Sequence, residues 1–432
     1  MRLTLWLTGL AGSNAALGFL YHWYLLTTLG PGRETDAFFA GLMIPQLVLA
    51  VLGGSLASVL VPMLSTEDPD GRGRLVWTTL YSVVLIGVAL SLALGLTAPL
   101  WVPLTVPGFG ADAVRLTTEL FRIQLPAVVL SLVSTVQRAA SNARGRFVWV
   151  EASATLTVLS GFGFLAVTLP SLGVAAAAWA MVLRSALQVA LLLRSLGPIR
   201  PPVWRLSALN RLWHRLQPLL LGSLYYKSDI VVDRMLASLV PSGLLSLYYL
   251  GHQLWSSAYL VLSKAIAAPA VPRLARYAEQ KDWNRFRWLN RSRLTVLLLI
   301  AAATYAGLLA FGRPVLNLLF EGGRFTPEQV RQLWWLLVAL GGLWIGGAAG
   351  QIVATSFYAQ GETRLLTRIG AFWFTVGIGL KLVGFYFFGI WGVAIGTSLS
   401  YLASAAAQQL TLERRYHLKV ATGSHTPGSV RT

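Results

Sequence analysis

The chain has 432 residues, of which 55% are hydrophobic and only 12% are charged, and its mean hydropathy is +0.63. This composition excludes an ordinary soluble protein and indicates a polytopic membrane protein. The lack of cysteine excludes disulfides, thiolate metal ligands and cysteine nucleophiles, and the net charge of +19 leaves nucleic-acid binding to be decided by where the basic residues lie.

Hydropathy and loop signals predict an all-α fold of about twelve membrane-spanning helices. Each apolar run is long enough to cross the hydrocarbon layer of a bilayer, and short polar or glycine-rich loops separate the runs. The predicted spans cover residues 4–29, 36–64, 74–98, 113–140, 148–169, 172–194, 212–239, 243–272, 290–311, 329–358, 366–388 and 391–412.

Basic residues concentrate in alternate loops, and this asymmetry predicts the orientation of the chain. With the N-terminus in the cytoplasm, basic loops such as 195–211 and 273–289 lie inside. The basic residues left outside are Arg33, Arg313, Arg324 and Arg331. We therefore predict that both termini are cytoplasmic and that the basic face lies on the anionic lipid of the inner membrane. This placement, without a nucleic-acid motif, excludes nucleic acid as a partner.

The stretch from residue 30 to residue 65 joins a charged turn to a long run that has no formal charge. Asp36 is predicted at the mouth of this second helix, where an acid is stabilised by the helix dipole. Gly53 and Gly54 remove side-chain bulk in mid-span, and Pro62 weakens the helix near its end. The segment is therefore predicted to pack closely or to bend.

The two halves of the chain contain an internal repeat. A shift of 210 positions places residues 36–41 on 246–251, and a shift of 216 positions places residues 142–145 on 358–361. Two halves of about six helices each would enter the membrane from the same side, as in transporters with parallel repeats around a central cavity. We predict an N-terminal half at 1–200, a C-terminal half at 201–415 and a flexible cytoplasmic tail at 416–432.

Five segments, in order along nearly the whole chain, resemble those of one transporter family. They are GPGRETDAFFAGLMIP (30–45), FRIQLPAVVLSLVSTVQRAASNARGRF (121–147), VVDRMLASLVPSGLLSLYY (231–249), SFYAQGETR (356–364) and GIWGVAIGTSLSYL (389–402). The chain resembles the MurJ/MviN lipid II flippases of the multidrug/oligosaccharidyl-lipid/polysaccharide exporter superfamily. The resemblance implies a divergent, short member that moves lipid II or another polyprenyl-linked saccharide across the bacterial inner membrane by alternating access.

Family members usually line the substrate cavity with arginines suited to a diphosphate, and this chain departs from that pattern. Ala15, Tyr21, Ala50 and His252 stand at or beside those places. A diphosphate still requires cationic partners with matched hydrogen-bond donors. The cations that remain within the predicted spans are Arg122, Arg184, Lys227, Arg234, Lys264 and Lys381.

The resemblance implies a substrate cavity with a gate. We assign to it Arg33, Asp36, Arg122, Tyr248, Tyr249, His252 and Lys264. Structural alternatives stay open: Asp36 could cap the second helix, His252 could form a helix–helix hydrogen bond, and the tyrosines could belong to an aromatic belt. Arg184 is predicted to pair with Glu151 and hold the first bundle together.

A second set of intramembrane residues, five of them charged, is predicted to couple transport to a conformational change. It comprises Lys227, Asp229, Asp233, Arg234, Lys381 and Thr397. Asp229 and Asp233 are four residues apart and share a helix face, so they require a counter-charge, for which Lys381 is the best candidate. Family members with a sodium site would use this region for the cation, and a lysine there predicts an internal salt bridge instead. A static structural pair is the alternative.

Two other functional classes remain open at this stage. An integral membrane glycosyltransferase or ligase would need catalytic groups, but the outside loop predicted at 312–328 offers few acids, and no catalytic triad, metal motif or phosphate loop is found. A non-transporting scaffold of an envelope-assembly complex is the other class. We predict a transporter, not an enzyme, with no cofactor and no metal, that acts as a monomer with a lipid-linked glycan as substrate and envelope glycan-synthesis proteins as candidate partners.

Overall fold

The computed structural model describes residues 2–204, 207–320 and 323–423, and within these ranges the chain is helical with no β-strand. The helices are α1 (Arg2–Leu29), α2 (Arg33–Gly41), α3 (Met43–Val48), α4 (Gly54–Thr66), α5 (Pro69–Thr105), α6 (Ala111–Ala143), α7 (Phe147–Leu172), α8 (Ala175–Leu191), α9 (Ser207–Lys227), α10 (Asp229–Ser238), α11 (Leu244–Ile266), α12 (Val271–Glu279), α13 (Trp283–Phe320), α14 (Pro327–Ala339), α15 (Gly341–Ala359), α16 (Thr363–Phe388) and α17 (Ile390–Gly423).

Each predicted span coincides with one helix or with a run of consecutive helices. Among the described residues, eight stretches are long and apolar enough to cross a membrane. They are Arg33–Thr66, Pro69–Thr105, Ala111–Ala143, Phe147–Leu172, Trp283–Phe320, Pro327–Ala359, Thr363–Phe388 and Ile390–Tyr416. The helix at the sixth predicted span, Ala175–Leu191, is apolar but shorter. The prediction of an all-α, polytopic membrane fold is confirmed.

One face of α5 carries a stripe of largely exposed leucines. Leu92, Leu96, Leu100 and Leu104 recur every four residues and are 60–78% exposed. A soluble protein rarely exposes such a continuous apolar face, whereas lipid tails cover it without loss. The stripe therefore marks a lipid-facing surface of α5.

The chain divides into two compact units, Met1–Tyr249 with Gly322–Thr326, and Leu250–Glu321 with Pro327–Thr432. In the first unit, a core of residues such as Leu60, Val76 and Val136 joins α4, α5 and α6. In the second unit, residues such as Phe286 and Phe357 join α13 and α15. The division of the repeat at residue 200 stays a prediction.

The internal repeat is visible in the backbone of the turns. Gly145 and Gly361, 216 positions apart, have φ angles of +73° and +72°. The N–H of each glycine donates to the carbonyl three residues earlier, at 2.9 and 3.0 Å. Gly173 and Gly389, separated by the same interval, have φ angles of +55° and +58°. Since glycine adopts these left-handed angles without a steric penalty, the repeat preserves helix ends as well as sequence.

The turn after α6 is held by Arg144, which the sequence places in the same repeated motif. Its Nη1 donates to the carbonyl of Ser195 at 2.7 Å. Burial, together with the nearby cations Arg146 and Arg72, lowers the pKa of Arg144 from its ordinary value. The guanidinium thus serves as a fixed anchor between this turn and the segment after α8.

Three predicted segments differ from the observed helices. The outside loop predicted at 312–328 is helical up to Phe320, because α13 continues through Pro314. The seventh predicted span is divided at Ser228 between α9 and α10. Helix α17 continues to Gly423, into the segment predicted as a tail, and residues 424–432 lie outside the described ranges.

A π-helical turn lies at Leu49–Gly53, between α3 and α4, where the sequence predicts close packing or a bend. A Cβ at Gly53 would meet Thr135 Oγ1 at 3.6 Å, which is an ordinary contact. The two glycines are therefore associated with a change of helical geometry rather than with an exceptionally close helix contact. Such turns are frequent at functional positions of membrane and soluble proteins.

Candidate functional site

Asp36 lies on α2 but hydrogen-bonds to the start of α11. Its carboxylate accepts hydrogen bonds from the N–H of Gly243 at 2.5 Å, the N–H of Ser246 at 2.8 Å and the Ser246 hydroxyl at 2.5 Å. The first turn of a helix leaves N–H groups without intrahelical partners, and a carboxylate satisfies them and complements the helix dipole. The start of α2 itself is served by Thr35, whose Oγ1 accepts from the N–H of Gly32 at 3.0 Å.

Gly243 permits the backbone to approach closely at this point. Its φ angle is +94°, and a Cβ there would meet the carbonyl oxygen of Pro31 at 2.9 Å. Both the left-handed angle and the contact favour glycine. The connection between Asp36 and α11 is therefore tight and depends on the absence of a side chain at residue 243.

Arg33 forms an ion pair with Asp112 at 2.9 Å, but the two side chains are 54% and 87% exposed. An exposed pair of this kind contributes little stability. Arg33, Asp36, Asp112 and Ser242 line a hollow of about 420 Å³. The predicted gate residues Arg33 and Asp36 are therefore neighbours at one end of the first unit.

Arg234 is buried and is held by groups of two other helices. Its guanidinium donates to Gln46 Oε1, and its Cζ lies 5.2 Å from the centre of the Tyr249 ring. Gln46 Nε2 in turn donates to the Tyr249 hydroxyl at 3.1 Å, while the Tyr249 ring stacks on Phe39 at 4.2 Å. A neutral amide oxygen and an aromatic face thus stabilise this cation. Arg234 Nη1 has no hydrogen-bond partner among the described residues.

The two tyrosines of the predicted site have different partners. The Tyr248 hydroxyl donates to Asp233 Oδ2 at 2.9 Å, and both residues are buried. Tyr249 belongs to the arrangement around Arg234. Because Asp233 and Arg234 are adjacent on α10, the pair of tyrosines on α11 connects these two helices within the first unit.

A polar cavity of about 540 Å³ lies inside the first unit. It is lined from α1, α4, α6, α7 and α8 and from the π-helical turn. The lining includes Asn14, Arg138, Asn142, Thr157, Arg184 and Gln188. Two arginines and no acid line it among the described residues. Neither guanidinium forms a hydrogen bond or an ion pair with another described residue, so the predicted pair of Arg184 with Glu151 is not formed.

Hydrogen bonds between the helices fix the walls of this cavity. Ser131 on α6 and Ser185 on α8 are hydrogen-bonded at 3.0 Å. Gln188 Nε2 donates to the Ser153 hydroxyl at 2.9 Å, and Gln188 Oε1 accepts from Thr157 at 3.2 Å. These bonds between α6, α7 and α8 satisfy buried polar groups, which fixes the positions of the side chains beside Arg184.

Gly161 on α7 makes room for the stem of Arg184. A Cβ at this glycine would meet Arg184 Cγ at 2.3 Å and Cδ at 2.5 Å. These distances are far below ordinary contact, and the atoms belong to the stem of the side chain rather than to its tip. The observed direction of the Arg184 side chain therefore depends on glycine at residue 161.

The structure describes the side chains of two more predicted cavity residues, Arg122 and His252. Arg122 is exposed, and its Nε donates to the carbonyl of Gly95 at 3.0 Å. His252 hydrogen-bonds to Ser256 on its own helix at 3.3 Å, and the roles predicted for this histidine stay predictions. The side chain of Lys264 lies outside the described residues.

The residues of the predicted coupling cluster belong to both units, and their assembly into one cluster stays a prediction. Lys227 is at the end of α9 and Asp229 is at the start of α10, each at the helix end where its charge is stabilised by the dipole. Lys381 and Thr397 are buried on α16 and α17 in the second unit. Since Asp233 belongs to the first unit, its pairing with Lys381 stays a prediction.

Sequence reasoning missed Arg138 and Gln46. Arg138 lies close to the cytoplasmic end of a predicted span, where a basic residue is expected from the orientation rule alone. Arg138 follows Ser131 by seven residues, which is about two turns, so the two residues share a helix face. This spacing is the sequence feature that could have identified Arg138. Gln46 is a lone amide in an apolar run, and its polarity inside a predicted span is the signal that was not used.

Comparison with known proteins shows one family along most of the chain. The family described as "Lipid II flippase MurJ" matches residues 25–426. A probable lipid II flippase MurJ of Vibrio cholerae is 23% identical over 437 residues, covering 94% of this chain and 82% of the relative. A lipid II flippase MurJ of Burkholderia cenocepacia is 24% identical over 390 residues, covering 85% and 75%.

Solved structures have the same fold. The structure entitled "Lipid II flippase MurJ, inward closed conformation" has a TM-score of 0.82 at 18% identity, covering 94% of this chain and 87% of that one. An inward-facing multidrug resistance MATE family transporter of the MOP superfamily has a TM-score of 0.77 at 17% identity, covering 96% of both chains. At these identities the structural similarity concerns the fold alone.

Proposed function

Since the chain belongs to the MurJ lipid II flippase family, we propose that it moves a polyprenyl-diphosphate-linked saccharide, lipid II or a related lipid-linked glycan, across the bacterial inner membrane. The match of the family over residues 25–426 carries this proposal. The chain is a transporter and not an enzyme, and its helices are long and apolar enough to span the membrane several times. The glycosyltransferase and scaffold alternatives have no comparable support.

The polar cavity of the first unit supports a substrate with a charged, hydrophilic head. Its lining offers arginines, amides and hydroxyls within a bundle whose outer face is apolar. A lipid-linked saccharide has the same division, since its head is polar and its chain is soluble in the bilayer. An alternating-access movement would expose such a cavity to one side of the membrane at a time.

We infer a gating role for Asp36. Its hydrogen bonds to Gly243 and Ser246 hold α2 and the start of α11 together. Release of this cap would leave two backbone donors and a carboxylate to be solvated, so we infer that opening requires water to reach this junction. Arg33 beside it completes the charged edge of the same hollow.

We infer that both termini are cytoplasmic, because basic residues concentrate in the loops that this orientation places inside. Those loops would bind the anionic lipid of the inner leaflet. We further propose that the chain acts as a monomer, with envelope glycan-synthesis proteins as candidate partners that supply or consume the lipid-linked saccharide.

A translocation assay tests the function. The purified protein is reconstituted into liposomes with a fluorescent polyprenyl-diphosphate saccharide, and a membrane-impermeant reductant removes the fluorescence of the outer leaflet. We expect the protein to make the inner-leaflet pool accessible, while protein-free liposomes keep that pool protected. The panel includes lipid II, a simpler diphosphate-linked sugar and a monophosphate-linked sugar.

Two results would contradict the proposal. An inner pool that stays protected for every donor would exclude flippase activity, and a scaffold would then be favoured. Formation of a longer glycan, measured by chromatography of the extracted lipids, would favour the glycosyltransferase or ligase alternative.

A further inference from the structure

The arginines of the cavity in the first unit have no acid facing them among the described residues. A cation inside a membrane protein is destabilised unless a counter-charge or hydrogen-bond acceptors surround it. Elsewhere in this unit Arg234 has such support from Gln46 and Tyr249. Arg184 is partly buried and has no such partner among the described residues, and Arg138 adds a second, solvent-exposed positive charge, so the cavity is electrostatically suited to an anion.

The two arginines lie at different depths on one wall. Arg184 adjoins Ser185, which is hydrogen-bonded to Ser131, and Arg138 follows Ser131 by two turns, or about 10 Å along α6. Arg138 is exposed, whereas Arg184 is partly buried and its stem packs on Gly161. Arg138 therefore lies near the mouth of the cavity and Arg184 lies deeper.

Other polar groups of the lining suit a saccharide. Asn14 and Asn142 line the same cavity and offer amide donors and acceptors for hydroxyl groups. The amide of Gln188 is hydrogen-bonded to Ser153 and Thr157, so it stabilises the cavity wall rather than binding the saccharide. The cavity thus offers cationic and neutral polar contacts side by side.

We propose that Arg138 and Arg184 bind the diphosphate of the lipid-linked saccharide, with Arg138 making the first contact and Arg184 the deeper one. This inference rests on the proposed function, and it gives the binding role to a pair of arginines on α6 and α8. Guanidinium groups suit this ligand because they donate paired hydrogen bonds to phosphate oxygens and stay charged at all physiological pH values.

Binding of fluorescent lipid II to the detergent-solubilised full chain tests the inference. We expect Arg138→Gln and Arg184→Gln each to weaken binding by about tenfold or more, since each removes charge-assisted hydrogen bonds to phosphate. Arg115→Gln is the matched control, because Arg115 is an exposed arginine on the same helix α6 outside the cavity lining and the charge change is identical. Binding by the control should equal that of the parent.

Gly161→Ala gives an independent test that keeps both charges. The added methyl group would displace the stem of Arg184, so binding should weaken while the net charge stays constant. Arg184→Lys should recover only part of the affinity, because lysine lacks the paired donors. Thermal unfolding of every variant accompanies the titrations, so that loss of binding is scored only for folded protein.

Inorganic pyrophosphate and phosphatidylglycerol are used as probes to distinguish a diphosphate site from a site for an anionic membrane lipid. Protection of the parent against thermal unfolding by pyrophosphate, lost in Arg184→Gln and kept in Arg115→Gln, would support a diphosphate site. Protection by phosphatidylglycerol alone would overturn the inference and indicate a site for membrane lipid.

Failure of this inference is distinct from failure of the proposed function. If the Arg138→Gln and Arg184→Gln variants bind and translocate lipid II like the parent, the anion site is wrong and the flippase function stands. If pyrophosphate binds through these arginines but no lipid-linked saccharide is moved, the anion site stands and the flippase function is wrong.

Discussion

The carboxylate of Asp36 accepts hydrogen bonds from both the backbone N–H and the hydroxyl of Ser246, at 2.8 and 2.5 Å. These two residues are equivalent in the internal repeat, because a shift of 210 positions places one on the other. The repeat thus brings the corresponding starts of two membrane helices together. The acid is present only in the first copy of the repeat, so a single carboxylate accepts the hydrogen bonds that join the two helix starts.

Substitution of Asp36 should destabilise the protein. Asp36→Ala removes the acceptor for the N–H groups of Gly243 and Ser246, and we expect a loss of about 1–3 kcal/mol. Asp36→Asn should have a smaller effect, since its carbonyl oxygen still accepts. Thermal unfolding in detergent measures both, with Glu34→Gln as the control because Glu34 is an exposed acid on the same helix. Equal stability of Asp36→Ala and the parent would contradict the cap.

Gln46 should be coupled energetically to Arg234. Gln46→Leu removes the acceptor of the buried guanidinium, while Tyr249→Phe keeps the aromatic face and loses only a hydroxyl. We therefore expect Gln46→Leu to be the more destabilising change. A double-mutant cycle with Arg234→Met should give a coupling of about 0.5–3 kcal/mol. Additive effects in the cycle would show that the two side chains act independently.

Close packing of α16 on α17 should make Gly384 intolerant of a side chain. A Cβ at Gly384 would lie 2.5 Å from the carbonyl oxygen of Gly392, whereas one at Gly379 would meet nothing within 4 Å. Small residues permit such contacts between membrane helices. Gly384→Ala should lower the folded yield, measured by size-exclusion chromatography, and Gly379→Ala should not. Similar yields of the two variants would contradict this contact.

The orientation of the chain can be measured with reporters. We expect a reporter fused after Thr432 to give a cytoplasmic signal, and one inserted between Gly323 and Thr326 to give a periplasmic signal, because the basic residues favour this arrangement. The insertion point follows the observed end of α13 at Phe320. A periplasmic signal from the C-terminal fusion would reverse the orientation.

The sequence alone predicts the parts of the fold that depend on local composition. Apolar runs predict the spans, and the sequence repeat that places Gly145 on Gly361 is accompanied by matching backbone geometry at the two glycines. The junction at Asp36 could not be read locally, because its partner Ser246 lies on another helix far along the chain. The break at Ser228 was also missed, although the polar run Lys227-Ser228-Asp229 interrupts the apolar pattern there.

The candidate site was harder to predict than the fold. Arg184 appears in the sequence as an intramembrane cation, but its role depends on which helices surround it. Helices α6, α7 and α8 together decide that it faces a cavity rather than the carboxylate of Glu151. Arg138 is obscured by the general excess of basic residues near cytoplasmic helix ends.

The π-helical turn at Leu49–Gly53 has a consequence for the tolerance of the second span to changes in length. A π turn accommodates one residue more than an α-helical turn, so the flanking helices keep their directions around an inserted position. Deletion of Leu52 would restore α geometry and leave Ala57 and Val61 on the cavity wall. The same deletion within α4 would rotate everything beyond it by about 100° and advance it by about 1.5 Å. At this turn, where the span borders the cavity, the loss of one residue would therefore leave the directions of the flanking helices unchanged.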